Sequence, residues 1–264
     1  MLRRLGIRLA LFASIYLTIA STGCEQPQPV VTDTPAETRQ SESTSSSPTI
    51  HQPPTEQPSA LTADSPKFEQ QLAAVLRGES VAIHVATEPV SSEQLKKLSQ
   101  TGDPLRDLML DAGTVRDEDI AFFHGLSKLE HLRLRQSPIT DRGAENLSEL
   151  NLPELRVLNL PQSKLTAVGM RALAKLPKLN QLRLGGNQID DEAVDALKDM
   201  KQLQSVHLIG PSLSDRSLIT IAELPKLGSF YLDDCPLSDA AWEQLFKSRP
   251  TLHVHIDQQH PDRS

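Results

Sequence analysis

The stretch that decides the fold is Leu-Asn-Gln-Leu-Arg-Leu at residues 179–184. Side chains alternate between the two faces of a β-strand, so Leu182 and Leu184 face one side and Arg183 faces the other. The pattern occurs six times in the chain, with valine or phenylalanine in place of the second leucine in the last two copies. The copies begin at Leu105, Leu129, Leu155, Leu179, Leu203 and Leu227. Their spacing of 24 residues, with one interval of 26, predicts stacked repeats.

A helical pattern follows each strand pattern. Apolar residues recur there at intervals of three, which places them on one face of a helix. A polar residue suited to an N-cap precedes each of five helical stretches. These residues are Thr140, Thr166, Asp190, Ser214 and Ser238. Weaker strand copies at Ile83–Val85 and Val254–Ile256 flank the array. Each unit is therefore predicted to be one short strand and one helix, which must stack on its neighbours to bury its apolar side.

This pattern resembles the leucine-rich-repeat family, in its 24-residue, ribonuclease-inhibitor-like class, over roughly residues 80–257. The resemblance implies an α/β fold, a right-handed curved solenoid with parallel strands on the concave face and helices on the convex face. The family's Asn or Cys ladder position matches well at Asn187 and Cys235. It is occupied elsewhere by Gly113, Ser137, Ser163 and Pro211. We expect a repeat domain over 66–264 that begins with a capping helix at Phe68–Leu76.

The N-terminus predicts secretion. Residues 1–23 combine an arginine-rich head, an apolar run and small residues, which is typical of a signal peptide. The following Cys24 resembles the lipobox cysteine of bacterial lipoproteins, although Ser21 stands where that motif has leucine. Lipidation of Cys24 is one interpretation, and ordinary secretion with a leftover cysteine is the other. The residue after the cysteine is Glu25 rather than Asp, which favours the outer membrane or cell surface over the inner membrane.

Composition distinguishes a linker at residues 24–65 from the repeats and argues against nucleic-acid binding. Within 24–65, the 41 residues after the cysteine contain 21 Pro, Ser or Thr and no aromatic residue, which predicts a disordered linker. Removal of the three signal arginines leaves 24 basic against 34 acidic residues, a net charge of −10. Nucleic-acid binding usually requires a basic domain.

Candidate binding residues lie between the core leucines of successive strands. Neighbouring strands lie about 4.8 Å apart, so equivalent positions should form columns on the concave face. The predicted protein-binding residues are His131, Arg133, Arg135, Asn159, Gln181, Arg183, His207 and Tyr231. The centre of this set is cationic, and two interpretations of it remain open; it comprises His131, Arg133, Arg135, Arg183 and His207. It could receive acidic groups of a partner, or Arg135 could pair with Asp111 in its own column, with Asp107 close by.

Metal binding and catalysis have weaker signals. His253, His255 and Asp257 meet at the C-terminal edge, and the His-x-His spacing places both imidazoles on one face. The cluster is a weak candidate for a metal site, and an incidental solvated edge is the alternative. No catalytic motif and no cofactor motif appears in the sequence, so we expect no enzyme activity and no cofactor.

The sequence thus favours a non-catalytic protein-binding module at the bacterial cell envelope. We expect its partner to be a protein of unknown identity and its only membrane contact to be the N-terminal lipid. Two alternatives remain: a structural spacer lipoprotein, and a metal-dependent role for the C-terminal edge.

Overall fold

The computed structural model describes residues 67–113 and 115–261, all within one compact unit. The predicted signal peptide at 1–23, the predicted lipidation site Cys24 and the linker up to residue 65 lie outside the described residues. Within the described ranges, no helix is long and apolar enough to cross a lipid bilayer.

Eight short strands form a single parallel sheet in which spatial order equals chain order. The strands are β1 (Ala82–Val85), β2 (Asp107–Leu110), β3 (His131–Leu134), β4 (Val157–Leu160), β5 (Gln181–Gly185), β6 (Ser205–Ile209), β7 (Ser229–Asp233) and β8 (His253–Ile256). Their register aligns the motif positions, so Leu182 pairs with Leu158 on one side and Val206 on the other. The predicted α/β fold and repeat register are confirmed, including the two weaker flanking strands.

Helical segments connect the strands. The α-helices are α1 (Phe68–Leu76), α2 (Ser92–Leu95), α3 (Asp141–Glu149), α4 (Ala167–Leu173), α5 (Asp191–Asp195), α6 (Arg216–Glu223) and α7 (Asp239–Ser248). Three 3₁₀ segments cover Lys96–Gln100, Asp117–Phe123 and Ala196–Asp199. Parallel strands need such crossover connections, because a tight turn can join only antiparallel neighbours.

The core lies between the sheet and the helical segments. The motif leucines point into it, and Leu158, Leu182 and Leu184 are at most 2% exposed. Full burial of one such side chain contributes about 1.5–3 kcal/mol. Helix α1 packs against β1 and buries Phe68 and Val75 at the start of the array.

Four of the five predicted caps act locally. The side chains of Thr140, Thr166, Asp190 and Ser238 each accept a hydrogen bond from a backbone N–H in the first turn of the helix that follows. The fifth prediction is wrong in detail. Helix α6 begins one residue late, after Asp215, whose backbone angles are already helical, and the Ser214 hydroxyl donates to the Asp191 carboxylate at 2.5 Å.

A ladder of aspartates joins the helix N-termini of neighbouring units. Each aspartate accepts one hydrogen bond from the backbone N–H and one from the hydroxyl of the Ser or Thr one unit later. The pairs are Asp117 with Thr140, Asp141 with Thr166, Asp191 with Ser214 and Asp215 with Ser238. The backbone bonds are 2.8–2.9 Å long. These contacts stabilise the stacking of units on the side opposite the candidate binding residues.

The exposed face of the sheet as a candidate binding surface

The residues between the core leucines form what we call the strand face. Strand pairing places its central column in one continuous row across all eight strands. That row is His84, Met109, Arg133, Asn159, Arg183, His207, Tyr231 and His255. It agrees with the columns predicted from the repeat spacing. Because the backbone is fixed by the sheet on both sides of each inner strand, the side chains of the row start from rigid positions.

A buried ion pair occupies the N-terminal part of the strand face. The Arg133 guanidinium donates through Nε to Asp111 Oδ1 at 2.9 Å and through Nη2 to Asp111 Oδ2 at 2.7 Å. His84 completes this N-terminal triad, with Nε2 at 2.8 Å from Arg133 Nη2 and 3.4 Å from Asp111 Oδ2. A guanidinium can only donate, so the shorter contact requires Nε2 of His84 to accept.

The triad holds Asp111 in its charged form. Burial by itself would raise the pKa of the Asp111 carboxyl, because a low-dielectric environment disfavours the charged form. The hydrogen bonds and charge of Arg133 oppose this, and the net effect is a pKa below the ordinary value of an aspartate. Asp111 is 7% exposed and Arg133 is 8% exposed, so this charge pair is largely shielded from solvent.

The C-terminal part of the strand face repeats this arrangement with different partners. Asp233, 6% exposed, occupies the position equivalent to Asp111. Its Oδ2 accepts a hydrogen bond from Nε2 of His207 at 2.8 Å, and its Oδ1 accepts one from the backbone N–H of Gln258 at 3.2 Å. The column position equivalent to Arg133 is His255. We call His207, Asp233 and His255 the C-terminal triad.

Aromatic rings line this end of the face. The Tyr231 ring lies 5.4 Å from the His207 ring and stacks on His255 at 4.9 Å between centroids. Burial raises the pKa of the Tyr231 hydroxyl, a shift that a hydrogen bond with Ser229 partly opposes. The phenol therefore stays protonated at neutral pH, and it can donate or accept a hydrogen bond.

Three histidines form a cluster beyond Tyr231. Nε2 of His253 and Nε2 of His255 lie 2.9 Å apart, and the His260 ring lies 4.0 Å from the His255 ring. A two-residue turn brings His260 back, since Ile256 and Gln259 exchange two backbone hydrogen bonds of 2.9 Å. Asp257 and Gln258 in the turn have positive φ angles of 49° and 64°, as a type I′ hairpin turn requires.

Two family models match the middle of the array. A leucine-rich-repeat model matches residues 145–189, and a second leucine-rich-repeat model matches residues 125–148. The fold is a leucine-rich-repeat solenoid. The matches support a leucine-rich-repeat family for the chain. No curated protein matches it in sequence.

The ladder position of this leucine-rich-repeat array is only partly as expected. Cys235 and Ser163 are buried there, and the Ser163 hydroxyl donates to the backbone carbonyl of Gly185 in the next unit at 3.0 Å. Asn187, which matches the family position best by residue type, is exposed. The expectation for Asn187 is therefore wrong. Gly186, with a φ of 140°, carries the backbone through this loop in a conformation that other residues rarely adopt.

The predicted binding residues differ in accessibility. Arg133 and Asn159 are buried, so they offer little surface to a partner. The guanidinium that binds Asp111 bidentately is that of Arg133, whereas the sequence had suggested Arg135. The remaining predicted residues are half-buried along the face: His131, Arg135, Gln181, Arg183, His207 and Tyr231.

Of the three weak metal-ligand candidates at the C-terminal edge, two lie together and one does not. His253 and His255 lie together, but Asp257 points elsewhere and accepts a hydrogen bond from the backbone N–H of Asp234 at 2.8 Å. The third residue of the cluster is His260, which the sequence analysis missed. Its only sequence signal is a third histidine five residues after His255, and that signal has meaning only once the reversing turn is known.

Proposed function

We propose that the protein is a non-catalytic protein-binding module of the bacterial cell envelope, anchored by a lipid on Cys24, whose partner docks on the strand face. Leucine-rich repeats commonly mediate protein binding, and stacked repeats provide extended surfaces suited to it. The net negative charge and the absence of a basic stripe in the sequence make a protein a better candidate than a nucleic acid.

The observation that carries this proposal is the unbroken register of eight strands. It places polar and aromatic side chains on a preformed surface, so little backbone entropy is lost when a partner binds. Half-buried side chains also lose less rotamer freedom on binding than fully exposed ones.

We centre the proposed interface on Arg135, Arg183 and Tyr231 rather than on Arg133. Arg133 is committed to Asp111, and an arginine that already binds a buried carboxylate gains little from a second acidic group. Arg135, Arg183 and Tyr231 remain half-buried on the face. Arginine and tyrosine are enriched at the energetic centres of interfaces, where arginine can bind a carboxylate through two hydrogen bonds.

The test is reversal of charge on one side of the solenoid at a time. The full chain carrying Arg135→Glu and Arg183→Glu is compared with the matched control carrying Arg142→Glu and Lys175→Glu, two exposed residues of the helical side. Both pairs change net charge equally. We expect the first to lose proteins that copurify with the native chain from its own membranes, and the control to keep them, with similar melting temperatures.

The reverse pattern, loss with the control and retention with the strand-face variant, would place the interface elsewhere. Retention of the same proteins by both would also place the interface outside the strand face. A native chain with which no specific protein copurifies would favour the structural spacer.

The anchor has its own test. Cys24→Ser should move the protein from the membrane fraction to the soluble fraction, because the lipid is the proposed membrane contact. Retention of this variant in membranes washed with high salt would contradict lipid anchoring.

A further inference from the structure

We propose that His253, His255 and His260 form a binding site for a transition-metal dication of the zinc class. This inference is independent of protein binding by the strand face. It starts from the one group of side chains in the described ranges whose ligand atoms converge: one ring nitrogen of each histidine lies within 4.8 Å of the other two.

The distances suit a metal ion with small rearrangement. Zn–N bonds of about 2.0–2.1 Å at tetrahedral angles place ligand nitrogens about 3.3 Å apart. Nε2 of His253 and Nε2 of His255 are 2.9 Å apart, so these two imidazoles need to move by only a few tenths of an ångström. His260 is exposed, and rotation of its side chain can bring its ring nitrogen to the same point.

The two facing nitrogens can share one proton or one metal ion. Two neutral imidazoles satisfy a 2.9 Å contact only if one donates a proton and the other accepts. Protonation of both would place two positive charges in contact. A dication can replace the shared proton and accept one lone pair from each ring.

The surroundings favour neutral ligands and a bound cation. Burial lowers the pKa of His255, and the nearby His260 lowers it further, while a hydrogen bond with the Gln258 backbone and the charge of Asp233 oppose the shift. A lowered pKa keeps the imidazole neutral, as metal ligation requires. The Gln258 contact supplies the outer-shell support that metal-ligating histidines usually have. Asp233 contributes the nearby negative charge.

Three histidines leave one position open on a four-coordinate ion. Structural zinc sites usually have four protein ligands, and sites with three keep water or an exchangeable ligand in the fourth position. His260 closes the site from the returning tail, so the bound ion would also fix the turn at residues 257–258 against the last strand.

Zinc titration of the full chain tests the proposal. Cys24→Ser is kept in every sample so that neither its thiol nor a lipid contributes. We expect one Zn²⁺ per chain by calorimetry, and His260→Ala should weaken binding by more than about 100-fold, the upper end of the loss seen when only an outer-shell partner is removed. His253→Ala should do the same. His124→Ala, which removes an exposed histidine elsewhere, is the matched control and should bind as tightly as the parent.

Cobalt gives a second measurement that does not depend on stability. Co²⁺ bound by these three imidazoles should give the visible absorption of a four-coordinate site in the parent and in His124→Ala, and lose it in His260→Ala. The proposal is overturned if the parent binds no Zn²⁺, or if His260→Ala binds as tightly as His124→Ala.

Discussion

The two triads of the strand face occupy equivalent places in the repeat and differ in one side chain. Asp111 lies between His84 on the preceding strand and Arg133 on the following one. Asp233 accepts a hydrogen bond from His207 on the preceding strand. On the following strand, His255 occupies the column position that Arg133 has in the first triad. Both aspartates are buried, at 7% and 6% exposure.

The comparison shows that, on the same repeat scaffold, the side chain at the position of Arg133 and His255 determines how the neighbouring aspartate is bound. At the N-terminal triad, a permanently charged guanidinium binds the carboxylate through two hydrogen bonds, and His84 becomes an acceptor. At the C-terminal triad, His207 donates to Asp233, and His255 turns towards His253 and His260. The first arrangement is a closed ion pair suited to stability. The second places His255 beside two further imidazoles, where a cation can bind.

The largest expected effect is at the closed pair. Arg133→Met removes the guanidinium and leaves Asp111 buried without its main partner, so we expect a loss of about 3 kcal/mol in unfolding free energy. For a domain of this size the melting temperature should fall by about 6–12 °C. Differential scanning calorimetry measures both.

The matched change at the other end is His255→Ala. Asp233 keeps its bonds from His207 and from the Gln258 N–H, so the expected loss is about 1 kcal/mol or less. Equal losses in Arg133→Met and His255→Ala would show that the two triads do not differ as described.

A gain of stability is expected when the first triad is copied into the second. His255→Arg places a guanidinium beside Asp233, which should add about 1 kcal/mol through charged hydrogen bonds, or about 2–4 °C in melting temperature. The same change removes a proposed metal ligand. Melting curves with and without Zn²⁺ should therefore differ for the parent and coincide for His255→Arg. A variant that is no more stable and still responds to Zn²⁺ would contradict the equivalence of the two sites.

The smallest expected effect is on pH dependence, and its range differs between the two ends. The lowered pKa of Asp111 contributes stability above the ordinary Asp value, which is lost as pH falls below about 4. Because the pKa of His255 is lowered in the folded state, the unfolded state takes up this proton at a higher pH than the folded state does. Stability is therefore lost as pH falls below about 6.5.

Metal-free His255→Asn should therefore lose less stability than the parent between pH 7 and 5, by no more than about 2 °C in melting temperature. In Asp111→Asn the melting temperature should change with pH as it does in the parent between pH 7 and 5. The pH dependence of the two proteins should differ only in stronger acid. Identical melting profiles for the parent and His255→Asn would show that this histidine does not titrate as described.

Repeat spacing was sufficient to predict the sheet, because a period of 24 residues and alternating leucines leave one register that buries them all. The caps at Thr140 and Thr166 could be predicted from local sequence, because each side chain binds a backbone N–H only two residues later. The cap predicted at Ser214 did not form, because Asp215 already has helical backbone angles and directly precedes α6, although the Ser214 hydroxyl donates to the preceding unit as those of Thr140 and Thr166 do. The aspartates after several caps were a visible signal of that ladder.

The column that each residue of the strand face occupies could be predicted from the sequence, but its side-chain hydrogen-bond partners could not. Parallel register placed Arg133 and Arg183 in one row, yet only side-chain geometry decides that Arg133 lies back over Asp111. His260 was beyond sequence reasoning, since Asp257-Gln258 is not the Asn-Gly or Asp-Gly pair that signals a type I′ turn. The choice between a binding face and a spacer depends on a second molecule, which the chain alone does not specify.

Site-specific photocrosslinking in the native host tests the central claim most directly. A benzoylphenylalanine at Gln181 lies on the strand face between Val157 and Ser205, and one at Val168, 46% exposed on α4, lies on the helical side. We expect a discrete covalent adduct with another protein from position 181 and none from position 168. An adduct from position 168 with none from position 181 would contradict it.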